Sequence, residues 1–484
     1  MSIYDQYEAV IGLECHIQLL TQTKMYSSDI AQYGGMPNSQ TSVVTLGHPG
    51  TLPVVNTRAI EFAVRLGIAV NAQIREENQF ARKNYFYADL PKGYQITQDK
   101  TPICTGGFVT ARLKDGSEKR VNLTRIHMEE DAGKSMHDID PFETLVDLNR
   151  AGTPLLEIVS EPDIRTGEEA YAYLTEVRKL VRYLDICDGN MEEGSLRCDA
   201  NISVRKHGAA AFGRKVEVKN MNSFRNVQRA IDFEIKRQID LIESGGIVAV
   251  ETRSYDAVKD ETFSLRSKES ANDYRYFPEP DLQPVFITQQ YIDTVKQQLP
   301  PLPDELHRIY TKEYQLSEYD AAQIIESKEI SVYFNELIKH TNNFKSAANW
   351  IMGPVRSWLN ERALPFSALP LKPAAIAEII ALIDANKISN SAASQLLFPA
   401  LAEKPTEKAE VLATQLDLIQ NSDSNALQGM IDEVLASMPA KVDEYKGGKV
   451  GLIGLFVGEV MKRSKGKADP KLLNQLVKQT LESK

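Results

Sequence analysis

Five stretches of the chain alternate between apolar and polar positions, a period that indicates β-strands whose successive side chains point to opposite faces. They are residues 11–19, 121–129, 155–159, 195–205 and 215–219, and the alternation in 121–129 is the loosest. The polar positions of each stretch include ionisable side chains. If the five strands share one sheet, one of its faces collects carboxylates, a histidine, arginines and a lysine, a composition that suits a site for a metal ion and a nucleotide.

A polar face on a single strand has an ordinary explanation, because an antiparallel sheet commonly has one face on the core and one in water. Five such strands favour a functional site, since Asp and Asn are depleted from strands and solvated strand faces carry few carboxylates. Asp199 and Asn201 alternate within one stretch at a cost in β-propensity. Local rules tend to be broken where function requires it.

Helical spacing interrupts and then replaces the strand pattern. A capping box at 166–169 precedes one amphipathic helix, and a second helix is predicted from Ser223 to Gly245. The Pro-rich segment 299–303 predicts a linker, after which the chain is almost wholly helical. A helix is predicted from Pro373, and two helices, 449–463 and 469–482, are predicted at the end.

These patterns predict an α+β fold: an N-terminal domain with a mainly antiparallel sheet, then an all-α middle domain and a small all-α tail domain. A break near 403–406 separates the last two. The predicted boundaries are 1–298, 299–405 and 406–484.

Composition narrows the class of protein. The chain has 484 residues, of which 42% are hydrophobic and 25% charged, as in soluble globular proteins. No apolar run approaches the roughly 20 residues that span a bilayer, and the first residues do not resemble a signal peptide. Four scattered cysteines without a Cys-x-x-Cys pair predict a reduced, cytoplasmic protein.

The net charge of −10 is unevenly distributed. The segment from Lys441 onward contains ten Lys/Arg and five Asp/Glu, so the tail is basic and the remainder of the chain is acidic. This asymmetry predicts a local contact with a polyanion. Gly451, Gly454 and Gly458 are spaced for one helix face, which indicates either tight helix packing or close contact with an RNA backbone.

Six motifs occur in one order along the chain. They are Gly-Leu-Glu-Cys-His (12–16), Lys-Asn-Tyr-Phe-Tyr (83–87), His-Met-Glu-Glu-Asp-Ala-Gly-Lys (127–134), Asn-Arg-Ala-Gly-Thr-Pro-Leu-Leu-Glu (149–157), Gly-Ser-Leu-Arg-Cys-Asp-Ala-Asn (194–201) and Asp-Tyr-Arg-Tyr-Phe-Pro-Glu-Pro-Asp (273–281). The ordered set resembles the B subunits of bacterial aspartyl/glutamyl-tRNA amidotransferases, and the resemblance covers the whole chain.

The resemblance implies a cradle domain with an active site related to that of glutamine synthetase. Such a domain uses ATP and Mg²⁺ to phosphorylate the side-chain carboxyl of Glu misacylated on tRNA-Gln, or of Asp on tRNA-Asn, and ammonia then displaces the phosphate. The resemblance also implies a heterotrimer, in which an amidase, the A subunit, makes ammonia from glutamine and the small C subunit wraps the other two.

Candidate site residues follow from residue chemistry together with this resemblance. Mg²⁺ prefers oxygen ligands, and the predicted metal ligands are Glu14, Glu129, Glu157 and Asp199, with His16 added by the resemblance. The predicted catalytic residues are Glu14, Glu130, Arg197, Lys219 and Arg275. Predicted contacts to nucleotide or substrate are Lys83, Tyr85, Tyr87, Lys92, Ser195, Asn201 and Asn220. Predicted tRNA contacts are Lys462, Arg463, Lys465 and Lys467, whose cations suit phosphates.

The chain departs from the family pattern at two points. Some members carry a Cys-x-x-Cys zinc element where this sequence has Ser42 and Thr45, so no zinc is expected. Cys15 occupies a position where a β-branched residue is usual, and its place on the apolar face predicts a core residue.

Two other functions compete with this interpretation. A non-catalytic tRNA-binding adaptor would be expected to have a basic groove, because carboxylates repel phosphate unless a cation lies between them. A self-contained glutamine-dependent ligase is disfavoured, since no glutaminase nucleophile motif is recognisable. The ammonia source is therefore expected to be another chain, and the motifs fit Glu-tRNA and Asp-tRNA alike.

Overall fold

The computed structural model describes residues 2–137, 139–267, 274–420, 424–464, 468 and 470–483. These divide into two compact units, Met1–Pro303 and Asp304–Lys484. The first is rich in strands and the second is helical, as the alternation of polar and apolar positions predicts. No helix within the described part of the chain is long and apolar enough to span a membrane.

The strands of the first unit form one large sheet and three small ones. They are β1 (Tyr7–Gln18), β2 (Gln73–Ile74), β3 (Glu77–Asn78), β4 (Ala81–Asn84), β5 (Tyr94–Thr97), β6 (Cys104–Thr105), β7 (Phe108–Arg112), β8 (Glu118–Glu130), β9 (Lys134–Met136), β10 (Leu145–Asp147), β11 (Pro154–Ser160), β12 (Leu196–Lys206), β13 (Val216–Lys219), β14 (Glu251–Asp256), β15 (Glu261–Ser267), β16 (Phe277–Pro278) and β17 (Val285–Phe286). The large sheet has the order β15-β14-β13-β12-β1-β11-β8-β6-β2, with β7 also paired to β8.

The five alternating stretches form strands that lie side by side, in the order β8-β11-β1-β12-β13. All four pairings among them are antiparallel, whereas β13 and β14 run parallel. The looser alternation in β8 has a structural cause, because the pairing of β8 with β11 shifts register between Leu123 and Arg125. This irregularity moves Arg125 to the polar face, while Leu123 stays buried.

Four α-helices lie in the described part of the first unit: α1 (Thr57–Ala69), α2 (Gly167–Tyr183), α3 (Phe224–Glu243) and α4 (Gln289–Gln297). Helices α2 and α3 begin where their caps predict, since the Thr166 and Ser223 side chains accept from the backbone N–H three residues on. The apolar faces of α1–α3 and of the sheet share one buried cluster. Cys15 lies in this cluster, which confirms its prediction as a core residue.

The second unit is built from helices α5 (Pro303–Lys312), α6 (Glu318–Ile324), α7 (Lys328–Leu337), α8 (Phe344–Trp350), α9 (Arg356–Glu361), α10 (Pro373–Asp384), α11 (Asn390–Ala392), α12 (Phe398–Glu403), α13 (Ala409–Gln415), α14 (Ser424–Ser437), α15 (Pro439–Lys446), α16 (Ile453–Arg463) and α17 (Pro470–Ser483). Residues of α14, α16 and α17 bury their own apolar cluster. Helix α13 instead contacts α10, where the Glu378 carboxylate accepts from the Ala409 N–H at 2.9 Å.

The three tail glycines do not serve close helix packing within the described part of the chain. A Cβ on Gly451, Gly454 or Gly458 would meet no described atom within 4 Å. All three positions are exposed. The interpretation as tight packing is therefore wrong for these residues, and contact with an RNA backbone stays a prediction.

Candidate functional site

The sheet register gathers six of the predicted site residues into two neighbouring rows across the polar face, and Glu129 lies in the next row, opposite Leu155. In the first row, His127 of β8 pairs with Glu157 of β11, which pairs with His16 of β1, which pairs with Arg197 of β12. Side chains opposite one another in antiparallel strands have Cβ atoms about 5 Å apart. The row therefore places a carboxylate between two imidazoles.

The second row lies two residues along each strand. Arg125 pairs with Val159, Val159 with Glu14, and Glu14 with Asp199. The Lys219 ammonium of β13 forms an ion pair with the Asp199 carboxylate and lies 3.2 Å from Glu217 Oε1. This row ends in a cation, so both signs of charge border the site.

His16 lies at the centre of the carboxylates. Its Nε2 is 3.2 Å from Glu157 Oε2, 3.5 Å from Glu129 Oε1 and 3.8 Å from Glu14 Oε1. One set of possible metal-ligand atoms joins Glu14, His16 and Asp199, and another joins His16, Glu129 and Glu157; within each set the atoms lie within 4.8 Å of one another. We call these five residues the acidic cluster.

The protonation of the cluster reflects crowding of like charges. Burial alone would lower the pKa of His16, but a hydrogen bond to Glu157 and the charges of Glu129 and Glu157 raise it to about 9. His127 responds in the same way, and its pKa also rises to about 9. Burial and the Glu157 charge raise the pKa of Glu14. A bound cation would relieve this repulsion.

The cluster fits a hard divalent cation. Carboxylate oxygens are the ligands that Mg²⁺ prefers, and His16 is a softer ligand that also suits Mn²⁺. Because His16 belongs to both sets of candidate ligands, the residues present could serve one ion or two adjacent ions. The cluster opens on a cavity of about 410 Å³, which leaves room for substrate oxygens and water.

Cationic and aromatic groups border the cavity. Arg197 Nη2 donates to Asp131 Oδ2 at 2.8 Å. Lys83 Nζ lies 4.8 Å from the centre of the Tyr274 ring and 5.8 Å from that of Tyr85. Tyr85 follows β4 and Tyr274 precedes β16, and these two strands pair in a separate small sheet. The two aromatic rings therefore come from different segments of the chain. They offer faces for stacking next to the cations.

Ten of the predicted residues line the cavity together. They are Glu14, His16, Lys83, Tyr85, Glu129, Glu157, Arg197, Asp199, Lys219 and Asn220. All five predicted metal ligands are among them. The assignments of individual roles to these residues stay predictions.

Glu130 does not join the cavity, because it follows Glu129 and so points to the opposite face of β8. Its carboxylate accepts from the Ile96 N–H at 3.0 Å and forms an ion pair with Lys92. Glu130 and Lys92 line a different, much smaller cavity beside Tyr26 and Thr45. The sequence prediction grouped both residues with the site, and the structure separates them from it.

Four further predicted residues lie outside the cavity lining. The Ser195 hydroxyl is directed to Asp188 at 3.3 Å, and Asn201 pairs with Gly12 beyond the second row. Tyr87 is exposed, with its ring edge-on to Tyr85. Arg275 is exposed, and its carbonyl accepts from Asn84 Nδ2 at 2.9 Å.

The predicted tRNA contacts lie in the tail. Lys462 and Arg463 are exposed in the last turn of α16. Arg463 Nη1 lies 3.5 Å from Glu433 Oε2. Lys465 and Lys467 lie outside the described residues, as do Asn272 and Asp273, which precede Tyr274.

Sequence reasoning did not include Asp131, which the structure places at the cavity. Asp131 is buried, and it accepts from Gln18 Nε2 at 2.8 Å and from Arg197. Burial raises the pKa of Asp131, but the Arg197 and Arg150 guanidiniums lower it more. Because Asp131 directly follows the end of β8, no alternation indicates its direction, and only the motif 127–134 includes it.

Asp29 links the two positions where some family members carry zinc-binding cysteines. Its Oδ2 accepts from the Ser42 N–H at 2.8 Å and from Thr45 Oγ1 at 2.5 Å. Ser27 Oγ lies 2.9 Å from Thr45 Oγ1. Hydrogen bonds to the Asp29 carboxylate thus connect Asp29 with Ser42 and Thr45 in the loop between β1 and α1.

Comparisons with known proteins extend over nearly the whole chain. A family model described as the GatB/GatE catalytic domain matches residues 9–293, and one described as the GatB domain matches residues 332–481. A relative from Alkalilimnicola ehrlichii is 50% identical over 99% of this chain and 100% of its own length. Relatives from Ectopseudomonas mendocina (50% identity, 99% and 100%) and Thermosynechococcus vestitus (49%, 98% and 96%) are similar. Each of the three is named as the B subunit of an aspartyl/glutamyl-tRNA(Asn/Gln) amidotransferase.

Proposed function

Because this chain belongs to the GatB/GatE family of amidotransferase B subunits, we propose that its N-terminal unit completes a two-step, tRNA-dependent amidation. In the first step the side-chain carboxylate of Glu or Asp on a misacylated tRNA attacks the γ-phosphorus of ATP, which releases ADP. In the second step ammonia attacks the acyl phosphate, which releases phosphate and leaves the amide. The product is Gln-tRNA or Asn-tRNA. The observation that carries this proposal is the acidic cluster bordered by Arg197 and Lys219.

The acidic cluster would hold Mg²⁺ through Glu14, His16, Glu129, Glu157 and Asp199. When bound there, the cation supplies neutralisation of phosphate charge and orientation of the phosphoryl oxygens. The fit is supported by the preference of Mg²⁺ for carboxylate oxygens and by the mutual repulsion that the carboxylates experience without a cation.

The remaining side chains of the cavity act by binding and orientation. Arg197, Lys219 and Lys83 present cations to phosphate and carboxylate oxygens, and phosphoryl transfer depends mainly on such positioning. Asp131 fixes the Arg197 guanidinium through the bond at 2.8 Å. Tyr85 provides an aromatic face for a base, a role typical of nucleotide sites. The cradle shape and the kinship with glutamine synthetase belong to this same proposal.

The ammonia would come from a partner amidase, the A subunit of the complex, and the small C subunit would complete a heterotrimer. This division of labour is supported by the lack of a recognisable glutaminase motif in the sequence. The four cysteines are buried, and burial raises the pKa of the Cys104 and Cys187 thiols to about 12, which is unfavourable for a thiolate nucleophile. The adaptor alternative is disfavoured because the polar face is acidic at its centre.

The test is transamidation by the complex reconstituted with its partners, with Glu-tRNA or Asp-tRNA as substrate. Glu14→Gln and Asp199→Asn should each abolish ATP-dependent amide formation, because each removes a carboxylate from the cation site. Glutamine hydrolysis by the partner should persist. Replacing glutamine with free ammonia should not rescue either variant.

Glu8→Gln is the matched control, since Glu8 lies on the same face of β1 but pairs with Arg205 at 2.8 Å, away from the cluster. It should leave transamidation close to wild type. Full activity of Glu14→Gln and Asp199→Asn at ordinary Mg²⁺ would contradict the assignment of the cation site. Glutamine hydrolysis by the isolated chain would contradict the division of labour.

A further inference from the structure

The second histidine of the first row, His127, has no role in the proposed reaction so far. It is 5% exposed and, unlike His16, does not line the cavity. Its Nε2 lies 3.3 Å from Glu157 Oε2 and 3.7 Å from Glu129 Oε2. His127 therefore contacts two candidate ligands from outside the cavity lining.

In a neutral His127 ring, Arg125 determines which nitrogen carries the proton and faces those carboxylates as a donor. Arg125 Nε lies 3.4 Å from His127 Nδ1 and donates to it. Arginine has no acceptor atom, so this contact requires a lone pair on Nδ1 and leaves the proton of a neutral ring on Nε2. An imidazolium carries protons on both nitrogens, so it cannot accept from Arg125, but it keeps the proton on Nε2. The Nε2–H thus points at Glu129 and Glu157 in either protonation state.

The two oxygens of the Glu129 carboxylate face different histidines. Oε2 faces His127 and accepts from Thr97 Oγ1 at 3.4 Å, while Oε1 faces His16 at 3.5 Å. Glu157 is held by His127 and also by Arg125, whose Nη2 lies 3.9 Å from Oε1. A nitrogen that carries a proton has no lone pair for a metal ion, so the same contacts make Nε2 of His127 unsuitable as a ligand.

We propose that His127 is a positioning residue, which orients the carboxylates of Glu129 and Glu157 toward the cation without binding it, while His16 is the imidazole ligand. Hydrogen-bond donors behind metal ligands commonly contribute roughly 10- to 100-fold to metal affinity. The inference rests on the proposed cation site, and it assigns different tasks to two histidines that occupy one cross-strand row.

The test uses Mn²⁺ as a probe on the full-length chain. Binding is measured by electron paramagnetic resonance for wild type, His127→Asn and His127→Gln. Glutamine places an amide N–H near the position of Nε2, whereas asparagine ends near Nδ1 and does not reach the carboxylates. His127→Asn should weaken Mn²⁺ binding about 10- to 100-fold, and His127→Gln should retain most of the affinity. His207→Asn, an exposed histidine, is the control and should change nothing.

The central result of a second measurement comes from the wild-type chain alone. Electron spin-echo modulation of Mn²⁺ bound to the wild-type chain should show one coordinated imidazole nitrogen, which should disappear in His16→Asn and persist in His127→Gln. Two coordinated imidazoles, or unchanged affinity in His127→Asn, would overturn the proposal while leaving the cation site intact. Absence of Mn²⁺ binding in wild type would overturn both the proposal and the cation site.

Discussion

At the scale of single residues, Lys24 shows what burial of charge does when no partner compensates for it. The side chain is 1% exposed, and its Nζ has no hydrogen-bond partner among the described residues. Burial lowers its pKa to about 8, although Asp29, Glu130 and Asp147 oppose the change. Lys92, by contrast, has its ammonium paired to Glu130.

This difference predicts an unusual pH dependence. The unfolded chain keeps its Lys24 proton up to about pH 10.5, whereas the folded chain releases it near pH 8. Between these values the unfolded state binds more protons, so folding stability rises with pH. Lys24→Met removes this contribution. The free energy of unfolding of the variant should exceed that of wild type at pH 7, and this difference should shrink by up to roughly 3 kcal/mol as the pH is raised from 7 to 10.5.

Chemical denaturation of both proteins at several pH values measures this gap. Lys119→Met, which replaces a partly exposed lysine, should differ from wild type by a nearly constant amount. A constant gap for Lys24→Met as well would show that Lys24 stays protonated in the folded chain.

The direction of single side chains was predictable only inside regular strands. Alternation alone separates Glu129 from Glu130, and the prediction of both as site residues overlooked this signal. The partner of Glu130 is Lys92, which lies in a turn and contacts it across 38 positions of sequence; no local pattern indicates such a contact. Asp131 lies beyond the strand end, where alternation no longer applies.

At the scale of elements, the strands and their polar faces were predictable, but their order was not. Period two identifies which side chains share a face, and the structure adds that β1 lies between β11 and β12. That placement follows from long-range pairing, and from it comes the position of His16 between Glu157 and Arg197. The helix starts at Thr166 and Ser223 were local signals and were predicted correctly, but only half of the capping box at 166–169 forms, because Glu169 accepts from the Arg165 N–H instead of the Thr166 N–H.

The long loop between β1 and α1 depends on Asp29 for part of its order. Asp29→Ala should lower the free energy of unfolding by about 1–3 kcal/mol, because it leaves the Ser42 N–H and the Thr45 hydroxyl without their acceptor. Limited proteolysis should cut the loop faster. Ser42→Ala keeps the backbone N–H and should cost less than Asp29→Ala.

Metal analysis of the purified protein belongs to the same experiment. We expect no stoichiometric zinc, and chelators should leave the cleavage rate of the loop unchanged. Zinc retained by wild type and lost in Asp29→Ala would mean that the carboxylate holds an ion in place of the hydrogen bonds.

At the scale of the whole molecule, the strand-rich N-terminal unit and the helical C-terminal unit differ in fold, and charge is spread unevenly along the chain. The chain carries a net charge of −10, yet the segment from Lys441 onward is basic. The tail helices α14, α16 and α17 bury a cluster of their own. Exposed glycines next to exposed cations in α16 suit contact with a phosphate backbone, and we expect this part of the chain to hold the body of the tRNA.

Ending the chain after Gln420 tests that role. This end point keeps α13 and the bond from the Gln420 N–H to the Lys387 carbonyl at 2.7 Å. The truncated chain should bind tRNA more weakly, and each lost phosphate contact should reduce the slope of log affinity against log salt by up to about 1. Turnover at saturating tRNA should change less.

Lys462→Glu with Arg463→Glu in the full chain is the companion variant, since it reverses two charges without removing a helix. Binding is measured by filter retention across a salt series. Unchanged affinity and salt slope in both proteins would mean that the tail does not contact tRNA.

The cross-strand rows limit which insertions and deletions the strands of the large sheet can tolerate. A one-residue slip between β1 and either neighbour would turn Glu14 and His16 into the core and bring Leu13 and Cys15 to the cavity. Single insertions or deletions within these strands should therefore yield inactive protein, without intermediate forms of altered specificity. We expect substrate preference to change instead through the segments that carry Tyr85 and Tyr274 at the border of the cavity, since these lie outside the large sheet and do not alter its register.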